Sequence, residues 1–370
     1  MEIYLDNAAT TRPRPEVSEA MADVDRNSYY NAAAMYAGAV QAQRTLSESM
    51  NIIHRRLTRR GEGSLIMTSG ATEGNNMVIF GKITTPRHHT VVAAGEHSST
   101  YAPSMALRQN DYNVDYVPLT ASGVIDLDAL RRALRPTTTL MCFSLVNSDI
   151  GTLQPARDIV KIVKQISPKA HIHCDAVQAF CKFDFDVMDL GFDTVTISAH
   201  KINGPKGIGG LWIRRGANLR PIMYGGSGQD FRPGTDNNAG IVGFARAVES
   251  FNTAESFAHV VALQERLIAG LPSGCTLTVG SAGNNPYITN IMLPGVFGNT
   301  AMNALSAMGI YVGLGSACSS RVAKNRTLLA MGISESKSKN VLRVSFGIYN
   351  TIADVDAFNE ALKEVLADLK

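Results

Sequence analysis

The chain has 370 residues, 45% hydrophobic and 18% charged, the composition of a globular protein long enough for one large domain and a smaller one. Its 35 basic and 32 acidic residues leave a formal charge of only +3, without the basic run that marks a nucleic-acid footprint. No apolar stretch reaches the roughly 20 residues of a membrane helix, and Met1-Glu2-Ile3-Tyr4-Leu5 lacks the basic flank of a secretory signal; a cytoplasmic protein with no membrane or nucleic-acid partner is expected.

From about residue 15, helical stretches alternate with short apolar strands, the pattern of an α/β protein built around a mostly parallel sheet. Helical periodicity predicts helices at 41–60 and 157–165 and one long helix at 238–270 that would connect two domains. Strands are predicted at 64–69, 90–94, 140–146, 171–175, 194–198 and 209–213. From about 275 the order becomes strand, strand, helix, loop, strand, helix, ending in an amphipathic 354–369, which implies a smaller α+β domain.

Five cysteines, Cys142, Cys174, Cys181, Cys275 and Cys318, are odd in number, scattered and free of any CxxC pair, so neither a zinc site nor a disulfide framework is implied. Four sit in apolar or β-like surroundings that suit a buried, inert thiol. Cys318 lies instead in Gly313-Leu314-Gly315-Ser316-Ala317-Cys318-Ser319-Ser320-Arg321, a run of small residues near a cation, where a thiolate is accessible and stabilised.

Three further segments stand at strand ends, where open α/β sheets place their ligand crevice. Gly70-Ala71-Thr72-Glu73-Gly74 opens a helix and aims free backbone N–H groups at an anion, although an ordinary helix cap by Ser69 or Thr72 explains the same residues equally well. Asp175 ends an apolar strand, where a carboxylate wants a cationic partner; a cap or surface position is the competing explanation. Ser198-Ala199-His200-Lys201-Ile202-Asn203-Gly204-Pro205 puts a lysine at an apolar strand edge, where burial lowers an amine's pKa and makes it a nucleophile, with Ser198 and His200 placed for a phosphate oxygen. Lys206, beyond the Gly-Pro turn, is the second choice of lysine.

Together with Tyr4-Leu5-Asp6-Asn7-Ala8-Ala9-Thr10-Thr11, Glu96-His97 and Leu342-Arg343-Val344-Ser345-Phe346-Gly347, these segments resemble the cysteine desulfurases in order and spacing over nearly the whole chain. The resemblance implies a fold-type-I pyridoxal-phosphate enzyme with a mostly parallel seven-stranded sheet. Residues 15–250 would form the large cofactor-binding domain, and 1–14 with 251–370 the small domain carrying the Cys318 loop. Lys201 would hold the cofactor and take the substrate α-proton. Asp175 would pair with the pyridine nitrogen, Gln178 would bond the ring hydroxyl, and His97 would stack on the ring and help move protons. Ala71, Thr72, Ser198 and His200 would hold the phosphate, joined by Thr235 from a second subunit, which implies a homodimer. Arg343 would clamp the carboxylate of L-cysteine, Asn7 and Ala8 would line the substrate entrance, and Cys318 would take the sulfur as a persulfide for an acceptor protein, a cluster scaffold or tRNA thiolase, leaving L-alanine.

The chain departs from the family at Asn147-Ser148-Asp149-Ile150-Gly151, where Ser148 replaces an asparagine that contacts the cofactor ring, and at Asn31-Ala32-Ala33-Ala34-Met35-Tyr36, which lacks a Pro-Ser-Ser. One lost hydrogen bond at Ser148 costs on the order of 1 kcal/mol. Lys370 follows the last helix closely, so the acceptor is expected to differ from that of relatives with longer tails. A selenocysteine lyase or other β-lyase, and a partner-dependent subunit of low turnover, are the alternatives that the same residues allow.

Overall fold

The structure, a computed structural model, describes residues 2–225, 231–280, 284–315 and 325–369. In chain order the strands are β1 (Ile3–Tyr4), β2 (Ser64–Thr68), β3 (His89–Ala93), β4 (Asn113–Val117), β5 (Thr138–Ser144), β6 (His171–Asp175), β7 (Thr194–Ser198), β8 (Gly209–Ile213), β9 (Thr276–Leu277), β10 (Ile288–Met292), β11 (Ile310–Tyr311) and β12 (Val341–Ser345). Seven of them form one sheet in the order β2-β8-β7-β6-β5-β3-β4, in which β8 alone runs antiparallel to its neighbours. The three strands β6, β7 and β8 are buried along their whole length, as expected of strands covered by helices on both faces.

Because side chains alternate across a strand, the sheet feeds two apolar layers. Met67, Val91, Phe143, Ile172 and Trp212 pack into one, and Ile66, Val92, Leu140 and Leu211 into the other. A third buried cluster joins Ile3 and Leu5 to Tyr287, Ile291, Leu342, Val344 and Phe358, so the first strand packs with the last third of the chain. Its backbone follows suit: β1 pairs parallel with β11, and β12-β10-β9 form a small antiparallel sheet.

The 238–270 region is two helices rather than one, Asn238–Glu249 and Thr253–Ala269. Asn252 ends the continuity because its side chain accepts from the Glu255 backbone N–H at 3.2 Å and starts the second helix as a cap. Strand β4 carries no clear period in the sequence because its burial is uneven, and it lies at the sheet's edge. Among the described residues no helix is long and apolar enough to cross a membrane.

Candidate active site

The carboxyl ends of β2, β3, β5, β6 and β7 open on one cleft of about 690 Å³. Lys201 enters it from a single 3-10 turn, Ala199–Lys201, that follows β7 directly. Its Nζ donates to the carbonyls of Ala8 and Ala9 at 2.6 and 2.7 Å. Burial, and then the Arg343 guanidinium, bring the amine down to about 8. Lys206 also reaches the cleft wall but is exposed.

Asp175, the last residue of β6, is buried and held on two sides: the Asn75 amide donates to Oδ2 at 2.9 Å and the Val177 N–H to Oδ1 at 3.0 Å. Asn75 Oδ1 in turn accepts from His173 Nε2 at 2.9 Å, and its amide nitrogen also donates to Ser99 Oγ at 2.8 Å. Ser99 carries the network to His97, the cap of the helix Ser98–Gln109, whose Nδ1 accepts from the Ser99 backbone N–H at 3.2 Å and lies 2.8 Å from its hydroxyl. An accepting Nδ1 assigns the ring proton to Nε2, and burial, the largest influence, keeps His97 below the ordinary histidine pKa and hence neutral.

At the opposite end of the cleft, Gly70, Ala71 and Thr72 begin the helix Ala71–Lys82, with Ser198, His200 and Gly207 across from them. Gly209 leaves no room for a side chain, since a Cβ there would lie 2.8 Å from Gly70 Cα; that close approach seats the turn on β8. Burial brings His200 to about 3, and its Nδ1 lies 3.2 Å from Thr10 Oγ1. Gln178 and Ala8 also line the cleft, with the Gln178 amide donating to the Ala8 carbonyl at 3.0 Å.

Arg343, on β12, is buried at the cleft wall. Its Nη2 pairs with Asp6 Oδ1 at 2.7 Å and its Nη1 donates to the Ser148 carbonyl at 3.0 Å, while its Nε is buried without a hydrogen-bond partner among the described residues. Ser148 thus meets Arg343 through its backbone. The loop around it is shaped by Asn147, which donates to the Gly95 carbonyl and accepts from the N–H groups of Asp149 and Ile150.

Two expected residues do not line this cleft. Asn7 turns its amide away, donating to the Ser345 carbonyl and Asn350 Oδ1 at 3.0 Å each, so it fastens the chain start to the end of β12 instead of facing substrate. Thr235 is exposed and does not line the cleft. Cys318 lies outside the described residues; Gly315, three positions earlier, lines the cleft. Burial pushes the thiols of Cys142, Cys174 and Cys181 up, the last to about 12, which removes all three as nucleophiles near neutral pH.

Sequence reasoning assigned no role to Asn75, Asp6 or Glu96. Asn75 was open to it, since it falls four residues after Ala71 on the same helix and so faces the sheet. Glu96 is fully buried beneath the cleft, accepts from the Ser144 N–H at 2.9 Å and from the Ser144 hydroxyl, and is raised by burial to about 8.

The sequence pattern of the family described as Aminotransferase class-V matches residues 3–358. A relative from Archaeoglobus fulgidus named cysteine desulfurase IscS 1 is 31% identical, with 99% of this chain and 97% of the relative covered. A solved structure titled NifS-like protein superposes with a TM-score of 0.92 at 31% identity over the whole of both chains. Another, titled SspA in complex with cysteine, reaches a TM-score of 0.82 at 29% identity over 95% of this chain and all of that one. With a pattern matched over residues 3–358 and a fold shared over its full length, the chain belongs to the class-V aminotransferase family of pyridoxal-phosphate enzymes, among the cysteine desulfurases.

Proposed function

We propose that the chain converts L-cysteine to L-alanine with pyridoxal phosphate and receives the sulfur on Cys318 as a persulfide. The observation that carries this is the meeting, in one cleft, of a lysine amine lowered to about 8, a buried carboxylate and a buried guanidinium. The donor set fits the cofactor. Asp175, with two hydrogen bonds already fixing it, would pair with a cationic ring nitrogen; the Ala71 and Thr72 N–H groups, Ser198 and His200 suit the phosphate; and the Lys201 amine suits the aldehyde.

When bound, the cofactor supplies an electron sink for negative charge at the substrate α-carbon. Arg343 holds the substrate carboxylate with a planar fork that an ammonium lacks. Lys201, neutral above about pH 8, takes the α-proton. His97 would stack on the ring with its Nε2–H available for transfer, and Gln178 would present an amide hydrogen to the ring hydroxyl. The Cys318 thiolate attacks the substrate sulfur: an S–S bond forms as the Cβ–S bond breaks, and the carbon's electron pair takes a proton. One cysteine and one thiol thereby give one alanine and one persulfide.

A homodimer completes the site, with the partner subunit's Thr235 at the phosphate. Thr235 is exposed in its own subunit, and Tyr29, Met35, Tyr36 and Tyr224 present the kind of exposed aromatic and apolar surface that subunit interfaces bury. The persulfide goes to a thiol-bearing acceptor protein in a reducing, cytoplasmic compartment. The test is sulfide and alanine production from L-cysteine with a reducing thiol present. Equal yields that vanish in Cys318→Ala are expected; no alanine from a protein that visibly carries cofactor overturns the assignment.

A further inference from the structure

Lys182 is buried beneath the cleft, 3% exposed, in the turns that follow β6. Its Nζ donates to Gln178 Oε1 at 3.1 Å and lies 5.1 Å from the ring centre of Tyr287, a residue just before β10. Among the described residues, the charged and titratable groups that face it are Lys201, Arg343, His200, Cys181 and Tyr287, none a carboxylate. A lysine held among cations without a counter-charge weakens the fold, and an apolar side chain of the same length would fill the space at lower cost. Its placement therefore points to the site above it.

We propose that Lys182 is a positioning residue that locks the Gln178 amide in the one orientation presenting its nitrogen to the cleft. As an ammonium Lys182 has only donors and requires Oε1 on its side; burial, and then Lys201 and Arg343, bring its amine down to about 7, so the lock is firm below that pH and slackens above it, where the neutral amine can also accept. The Ala8 carbonyl has only lone pairs, so it requires Nε2 on the other, at 3.0 Å. The two contacts agree and leave the second Nε2 hydrogen for the cleft, whose wall includes Gln178. The Ala8 carbonyl also accepts from Lys201 Nζ, so the line of contacts from Lys182 ends on the reactive amine. Without Lys182 only the Ala8 contact holds the amide, and a turn that offers the cleft a lone pair in place of a hydrogen is opposed by one hydrogen bond instead of two.

The proposal rests on the placement of the ring hydroxyl beside Gln178. Apo-protein is titrated with pyridoxal phosphate, following its visible absorbance, and the pH midpoint of the bound band is recorded. The proteins compared are wild type, Lys182→Met, Lys182→Arg, Gln178→Ala and the Lys182→Met/Gln178→Ala double variant. Lys182→Met is expected to weaken binding about tenfold and to move the midpoint, and Lys182→Arg to restore binding to within about threefold. In the Gln178→Ala background Lys182→Met is expected to change affinity less than about twofold, because it acts only through that amide. Equal loss in both backgrounds, or wild-type binding by Lys182→Met, overturns the proposal. Wild-type affinity and midpoint in Gln178→Ala instead sink the placement of Gln178 itself. Where Lys182→Met does not fold, Lys182→Gln serves, being too short to reach Oε1; it is expected to weaken binding by the same factor, and wild-type binding by it overturns the proposal.

Discussion

Arg343 and Asp6 form a part-buried ion pair, Nη2 to Oδ1 at 2.7 Å, that ties β12 to the residues after β1 at the wall of the cleft. The guanidinium is thus preoriented before any substrate carboxylate arrives. Arg343→Lys keeps the charge and loses the fork. Steady-state kinetics with L-cysteine should show kcat/KM falling about 100-fold, mostly through KM. Gly313→Ala should shift KM in the same direction to a smaller degree, since a Cβ there would sit 2.6 Å from Asp6 Oδ1 and 2.9 Å from Arg343 Nη2. An unchanged KM in Arg343→Lys would remove Arg343 from substrate binding.

The Lys201 amine, brought down from 10.5 to about 8, sets a pH at which the apo-protein becomes reactive. Only the neutral amine attacks an aldehyde, so the rate of pyridoxal phosphate capture should rise about tenfold per pH unit below pH 8 and level off above it. Stopped-flow absorbance on apo-protein checks the midpoint. A midpoint near the ordinary value of 10.5 would show that neither burial nor Arg343 acts on this amine in solution. Lys201→Ala should abolish capture while Lys206→Ala leaves it intact.

The elements that carry this cleft were legible because their burial makes them uniform. Strands β6, β7 and β8 stand at the bounds that their apolar runs predict, and Lys201 and Asp175 fall at their ends. What stayed hidden depends on contacts between distant segments. Nothing local distinguishes Asn7, whose amide turns to Ser345, from Ala8, whose carbonyl serves both Lys201 and Gln178. The 238–270 periodicity ran through the break at Asn252 because both helices bury one face, and only the cap geometry separates them.

Asn75 holds three groups of the site at once: Asp175, His173 and Ser99. Asn75→Ala leaves a buried carboxylate one hydrogen bond short and the Nε2 of the buried His173 imidazole without its partner, a cost of about 2–4 kcal/mol. Urea unfolding should register that loss. Because Ser99 also orients His97, kcat for alanine formation should fall further than the loss of stability alone explains, and Asn75→Ala at wild-type kcat would cut His97 off from this network.

Glu96 gives the fold a pH dependence of known sign. Burial raises its carboxyl from 4.5 in the unfolded chain to about 8 in the folded one. Below pH 4 it is protonated in both states and contributes no slope. Between 4.5 and 8 the unfolded chain releases the proton that the folded chain keeps, so this group weakens the fold progressively as pH rises, and above 8 the effect is complete. Glu96→Gln keeps the shape and a partner for the Ser144 hydroxyl while removing the titration. Melting temperatures from pH 5 to 9 should therefore diverge, with wild type losing ground to Glu96→Gln as pH rises. Parallel curves would mean that the folded carboxyl titrates near its ordinary value, and that the Ser144 contacts hold it ionised against burial.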